Sequence, residues 1–479
     1  MIELIAAIPI LGFIVTSVVP FLFVISIVVF VHEFGHYIVG RWCGIAVEVF
    51  SIGLGPAIVS RTDGRGTRWQ IAAIPVGGFV RFLDESSDSA IVDENGLPRR
   101  GEPRPSRPIQ QARRGTVGQS FDGAPVGHRA LTVAAGPIAN IILSILLFAV
   151  LVSAEGVGTG DLRIGSVDDV PGHDFGIRQG DRILEIDGSP VSNLADIEAA
   201  MFLSADHDGD LATDVSAGTG TDPVSNSVIR YRLDRNGQVL NVVGDNPMPA
   251  RVYRVDPLSP ASRAGLKPGD LILTVGPLPV RTFRDLRMAV RAAGETAIDM
   301  QVQRDSERLT VVVLPERVDR EIAPGEFEEQ LVIGVRGAFA FRLETVSPGP
   351  LEALFRGVVA TYRVVQLSVD GIYHIIAGNI SPDNLQGPLG IAQISGELAT
   401  TGFIDLLWWT AVISTAIGLL NLMPIPVLDG GHLVLFAYEA VAGRRPAGRV
   451  LGLVTRVGIV MLLCLMAFAT YNDIVRIWP

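Results

Sequence analysis

Residues 4–36 read LIAAIPILGFIVTSVVPFLFVISIVVFV-HEFGH, and the junction between Val31 and His32 governs how the rest of the chain is understood. Leu4–Val31 runs 28 residues without a charge, and about 20 apolar residues suffice for a helix to cross the hydrocarbon core of a bilayer. His32, Glu33 and His36 follow at once. On a helix, i and i+4 lie one above the other, so both imidazoles point the same way with Glu33 beside them. Ionisable groups at the end of an uncharged span cost free energy unless they serve a site.

Other uncharged runs accompany this one. A stretch beginning after Arg129 continues through Ile138–Ala154, Leu406–Leu428 is uncharged over 23 residues, and Val457–Asn472 over 16. The chain is 48% hydrophobic and 19% charged, with a mean hydropathy of +0.39, more apolar than an ordinary soluble domain. Four spans are expected, roughly 20–41, 130–153, 404–423 and 452–472, with Arg456 snorkelling at an interface. No basic residue precedes the first run and no Ala-x-Ala-like cleavage site follows it, so it is read as a retained span rather than a signal peptide. Residues 61–129 hold eleven Arg against eight acids, whereas residues 130–428 hold 22 bases against 36 acids. Basic loops stay in the cytoplasm, which places the acidic block, and both termini, outside. With only Cys43 and Cys464, no disulfide framework is available to the exported block. The separation of basic and acidic segments gives no sign of nucleic-acid binding.

The stretch 83–127, rich in Pro, Gly, Ser, Arg and acids, is expected to be a flexible cytoplasmic insert. The acidic block contains a repeat: GIRQGDRILEIDGSPV from Gly176 and GLKPGDLILTVGPLPV from Gly265, 89 residues apart. Each copy reads as helix, Gly-Asp turn, strand, turn, strand and amphipathic helix. In the second copy a helix begins at Phe283 and a hairpin turns around Asp305–Arg308. The pattern resembles a tandem of circularly permuted PDZ domains, folds that bind extended chain ends by strand addition. Residues 349–378 suit helices lying on the outer membrane face.

Two imidazoles on one rigid helix face suit zinc, which needs a third protein ligand and an open position. Glu33 is placed to take a proton from the attacking water, and the metal would polarise the scissile carbonyl. The third-His extension of soluble zincins is absent after His36. Candidates lie in Asn421-Leu-Met-Pro-Ile-Pro-Val-Leu-Asp-Gly-Gly-His432. Pro424 and Pro426 break the helix there. Non-helical backbone at membrane depth must line protein or a watery cavity, so Asn421–Gly431 is expected to be unwound, with Gly430 and Gly431 permitting the turn. By residue type alone, Asp429 and His432 both remain possible ligands.

HExxH on the first span, with Asn421-x-x-Pro424-x-Pro426-x-Leu428-Asp429-Gly430 late in the chain, resembles the site-2 protease family. The tandem PDZ-like insert resembles its bacterial branch, which cuts anti-sigma factors in envelope-stress signalling. Supporting stretches are Phe50–Pro56, Ile74–Val80, Ala134–Asn140 and Gly387–Ala392. The resemblance implies that His32, His36 and Asp429 bind Zn2+, Glu33 is the general base, and Asn421, with Pro424, helps hold substrate. It also implies that residues 68–82, containing Gly77 and Gly78, form a membrane-dipping β-hairpin whose edge takes up the unwound substrate.

The expected architecture is a polytopic α-helical membrane protein with four transmembrane helices and two inserted α+β PDZ domains on the extracytoplasmic side. Its parts are 1–60 with HExxH, 61–128 cytoplasmic, 129–155 second span, 160–248 and 249–316 the two PDZ domains, 317–403 linker and amphipathic helices, 404–448 third span and LDG, and 449–479 fourth span. The expected setting is a bacterial inner membrane, with a transmembrane protein as substrate. Two other classes, a silent PDZ scaffold and a broken-helix transporter, are disfavoured. A scaffold has no need of intact HEFGH and LDG motifs, and a transporter would show inverted repeats among its spans.

Overall fold

The computed structural model describes residues 14–83, 118–197, 199–200, 228–323 and 326–477. Most of the expected insert 83–127 lies outside them. The chain divides into two compact units: a membrane unit of residues 1–151, 350–377 and 382–479, and an inserted unit of 152–349 with 378–381.

Among the described residues, four helices are long and apolar enough to cross a membrane: Val15–Trp42, Val126–Glu155, Phe403–Leu422 and Gly448–Val475. In the membrane unit we label Val19–Trp42 α1, Val126–Glu155 α2, Pro350–Ala377 α3, Pro388–Thr401 α4, Phe403–Leu422 α5, Asp429–Ala442 α6 and Gly448–Ile477 α7. With lipid as solvent there is little hydrophobic drive between apolar helices, so small residues and hydrogen bonds bring them together. A Cβ on Gly35 of α1 would stand 2.4 Å from the Ala135 carbonyl of α2, and one on Gly418 of α5 would stand 3.1 Å from the Pro137 carbonyl. Ser144 donates to the Ala411 carbonyl at 3.0 Å, and Ser414 donates to the Asn140 carbonyl at 2.8 Å. At the far end of α7, the buried carboxylate of Asp473 accepts from the N–H groups of Gly387 and Gly390, both at 2.9 Å. That satisfies the free donors at the start of α4.

α3 covers the stretch expected to be helical, 349–378. It is one continuous helix whose Ala353, Gly357 and Thr361 are buried, and a Cβ on Gly357 would stand 2.4 Å from the Ile145 carbonyl of α2. Its small residues seat it against the body of α2, while Leu351, Phe355, Tyr362 and Ile376 face outward.

Between α1 and α2, strands β1 (Val47–Thr62) and β2 (Arg68–Phe82) fold back on each other: Phe50 stands opposite both Val80 and Trp69, and Arg61 also faces Trp69. Asp63 closes the turn by accepting from the N–H groups of Arg65 and Thr67 at 2.8 and 2.9 Å. Leu54, Ile58, Val59, Ile71 and Ile74 are exposed on this hairpin, an apolar surface suited to lipid.

The inserted unit carries the repeat as two four-stranded antiparallel sheets of matching order. In the first, Arg182–Ile186 lies between Ser189–Pro190 and Val228–Arg235. In the second, Leu271–Val275 lies between Leu278–Pro279 and Ile298–Arg304. The second copy's helix, Phe283–Ala293, starts with a Thr282/Asp285 capping box, and its hairpin turns at Asp305 as expected. Each Gly-Asp turn is stapled in the same way. Asp181 is 1% exposed and takes two 2.7 Å bonds from Arg235, while Asp270, equally buried, takes bonds of 2.7 and 2.8 Å from Arg304. The paired residues are 54 apart in the first copy and 34 apart in the second, so the first copy is longer within a stretch containing residues 201–227, outside the described residues.

Beyond the boundaries 160–248 and 249–316, two short strands pair back onto strands within them. Val335–Arg336 pairs with Arg254–Val255, and Phe341–Leu343 pairs with Ile164–Val167. The strand joined to the first copy therefore follows the whole of the second, which nests the second copy within the first.

Candidate metal centre

α1 ends in the segment that carries His32 and His36, both 8% exposed. Their rings meet edge to face, and their Nε2 atoms are 3.1 Å apart. The α5 helix stops at Leu422, the backbone is irregular from Met423 to Leu428, and α6 begins at Asp429. Asn421 stays in the last turn of α5, so the break is shorter than the proline pattern suggested. Gly430 and Gly431 lie in the first turn of α6 and serve close approach rather than unusual φ. A Cβ on them would stand 2.1 Å from the Met423 carbonyl and 2.4 Å from the Ile425 carbonyl, respectively. The strained residue is Val427, with φ of +85°, where a β-branched side chain is rarely tolerated. On its outer side Pro426 packs on α7, where a Cβ on Gly458 would stand 2.5 Å from the Pro426 carbonyl.

This break delivers Asp429 Oδ2 to 3.2 Å from His32 Nε2 and 3.4 Å from His36 Nε2. Among the described residues that buried oxygen has no hydrogen-bond donor besides these two rings. A buried carboxylate without a donor is costly unless a cation meets it. Four ligands held about 2.0–2.1 Å from zinc in a tetrahedron stand about 3.3–3.4 Å from one another. The observed triangle of 3.1, 3.2 and 3.4 Å matches one face of that tetrahedron and leaves a fourth position open. The donor set suits zinc, and His32, His36 and Asp429 could hold it. His432 lines the adjoining cavity but is not part of this trio.

α2 supports the trio. His36 Nδ1 lies 2.9 Å from the Thr132 carbonyl, a contact that places the ring proton on Nδ1 and the Nε2 lone pair toward the metal. Gly136 makes room for the same ring: a Cβ there would stand 2.2 Å from His36 Nε2. Arg129, 4% exposed, pairs with Glu439 of α6 at 2.7 Å and lies over the Phe436 ring. Residues 129, 132, 136 and 140 follow helical spacing along one face. In the sequence this supporting row is covered only by the family likeness of Ala134–Asn140. Its available signal was the polar and small residues repeating at that spacing within an apolar span.

Glu33 accepts a hydrogen bond from the Val80 N–H of β2 and faces a cavity of about 540 Å3 that also holds the trio, Phe79, Arg129, Glu439 and Arg445. Arg445 pairs with Glu439 at 3.4 Å and Asp122 at 3.2 Å, so the charged end of the cavity is internally compensated. Gly78 passes beside α1, where a Cβ would stand 3.1 Å from Glu33 Cγ, and Gly77 holds φ of +96°. The hairpin is thus brought to the metal centre, whereas Asn421 and Pro424 do not line this cavity.

Residues 20–465 match the model of peptidase family M50. The chain is similar to the regulator of sigma-E protease RseP of Escherichia coli, 31% identical with 95% of this chain and 98% of that protein covered. It is also similar to a protein of Agrobacterium fabrum named for zinc metalloprotease activity, 35% identical with 97% of both chains covered. A third relative is metalloprotease MmpA of Caulobacter vibrioides, 29% identical with 97% of both covered. The chain belongs to peptidase family M50, the site-2 proteases, and is a membrane zinc metalloendopeptidase.

Proposed function

With the chain a member of this family, we propose that it performs regulated intramembrane proteolysis, hydrolysing a peptide bond within the transmembrane segment of a membrane protein. The observation that carries this reading is the 3.1–3.4 Å triangle of His32, His36 and Asp429 at the ends of apolar spans. In this reading these three residues hold zinc, which supplies Lewis-acid polarisation of the scissile carbonyl and an acidified water. Glu33 accepts the water proton on its carboxylate and returns it to the leaving amine. The Val80 N–H holds Glu33 in place, and the β2 edge beside it takes up the unwound substrate as an added strand. Asn421 and Pro424 act on substrate from outside the cavity that holds the trio, a placement that favours positioning of the bound strand over contact with the reacting bond.

The substrate we propose is an anti-sigma-factor-like protein already trimmed by another protease, with release of a cytoplasmic fragment. The inserted unit is a PDZ pair on the extracytoplasmic side of a bacterial inner membrane, with both termini on that side. Its bulk acts as a steric filter that rejects untrimmed exported domains. The decisive experiment reconstitutes the protein in liposomes with a single-span substrate. Cleavage that a zinc chelator abolishes and added zinc restores supports the reading, and chelator-insensitive cleavage overturns it. For the filter, residues 160–316 are replaced by a flexible linker; continued rejection of full-length substrate would show that the insert is no gate.

A further inference from the structure

We propose that Asn140 is a positioning residue for the metal centre, with its side-chain carbonyl accepting the Nδ1–H of His32 and thereby fixing which nitrogen of that ring faces the metal. Asn140 is fully buried in α2, in line with Thr132 and Gly136. Its backbone is anchored by Ser414, which donates to the Asn140 carbonyl at 2.8 Å. The side-chain nitrogen lies 3.4 Å from His32 Nδ1, and the side-chain oxygen is buried with no donor among the described residues.

An amide N–H directed at Nδ1 would claim the lone pair there and put the ring proton on Nε2, the atom that meets Asp429 and His36 in the triangle. A half-turn of the amide plane exchanges nitrogen and oxygen with almost no change of shape. The oxygen then accepts from Nδ1–H and leaves the Nε2 lone pair free for a metal, matching what the Thr132 carbonyl does for His36. One helix face would therefore set the tautomer of both imidazoles. Partners of this kind typically contribute 10–100-fold to metal affinity.

The inference rests on the His–His–Asp zinc reading, and the test separates the two. Full-length protein in detergent micelles is loaded with zinc and titrated against a chelator of known affinity for Asn140→Leu, Asn140→Asp and His36→Ala. His36→Ala should lose zinc; if it holds zinc as the unaltered protein does, the metal assignment and this inference both fail. Asn140→Leu should release zinc at about 10–100-fold lower free chelator, while Asn140→Asp, close in shape and still an acceptor, should hold it at least as tightly as Asn140. If Asp binds zinc as weakly as Leu, the acceptor role is overturned even where Leu disturbs packing. If Leu binds as tightly as Asn, no positioning role exists. In zinc-loaded protein, 15N spectra should show His32 protonated at Nδ1; protonation at Nε2 would overturn the proposal directly.

Discussion

Asp270 in the inserted unit and Asp429 in the membrane unit are both carboxylates held by nitrogen atoms, and they serve opposite ends. Asp270 receives two bonds from the Arg304 guanidinium and one at 2.8 Å from the Lys267 N–H, so each oxygen meets a proton donor. Asp181 repeats the arrangement with Arg235 and the Arg178 N–H. Asp429 meets two imidazole Nε2 atoms, and besides them its Oδ2 has no donor among the described residues. The first environment closes a turn and leaves nothing for a ligand. With each imidazole proton on Nδ1, the second assembles three lone pairs around one point, where a metal cation would be held. A buried acid is therefore a functional candidate when its nitrogen neighbours are acceptors, and a structural staple when they are donors.

Exchanging one oxygen for an amide nitrogen should break the two cases differently. Asp429→Asn removes an anionic ligand and should abolish both zinc retention and proteolysis, as read by metal analysis and by cleavage of a reconstituted substrate. His432→Ala should leave the metal in place, since that ring is not part of the triangle. Glu33→Gln should lower hydrolysis by about 10²–10⁴-fold with zinc content unchanged, because Glu33 is the acid beside the pair with no ligand role. Gly136→Ala should loosen zinc without replacing a ligand, since its Cβ would fall 2.2 Å from His36 Nε2 and push that ring aside. Unchanged chelator resistance there would mean that α2 yields more easily than its packing implies.

Much of this was legible in the sequence because local rules produce it. Uncharged runs gave the four spans, i/i+4 spacing put His32 and His36 on one face, and Gly176 and Gly265 marked the repeat. What was not legible depends on distant backbone. Asn140 and Gly136 look like ordinary small or polar residues of an apolar helix until α1 is laid against them. Gly430 and Gly431 suggested a turn, but their role is to let carbonyls of the preceding loop approach, while the positive φ falls on Val427. The strand Phe341–Leu343 carries no repeat signature, since a strand of three residues is identified only by the partner it pairs with. The seat of α3 on α2 is set by Gly357, which fits against the Ile145 carbonyl, a contact that the helix's own sequence does not announce.

The stapled carboxylates give the smaller predictions. Asp270→Asn leaves Arg304 without its buried partner and should destabilise the second repeat by about 3 kcal/mol, the lower end for breaking a buried pair because Arg304 is partly exposed; zinc content should be unaffected. The mildest test of the comparison is acid. Burial opposes the charge on Asp181, but Arg235 and the Arg178 N–H outweigh it and hold the carboxyl below its ordinary value. A group whose folded value is depressed contributes stability that is fully present above its unfolded value, about pH 3.9, and is lost as pH falls through the folded value. The first repeat should therefore keep its stability down to about pH 4 and lose it progressively below. Hydrogen-exchange protection factors of Val228–Arg235 in the full-length protein, which divide out the intrinsic pH dependence of exchange, report that loss. In Asp181→Asn, protection should be lower at pH 7 and nearly flat through the same acid range. A decline as steep as that of the unaltered protein would mean that another carboxylate governs the repeat.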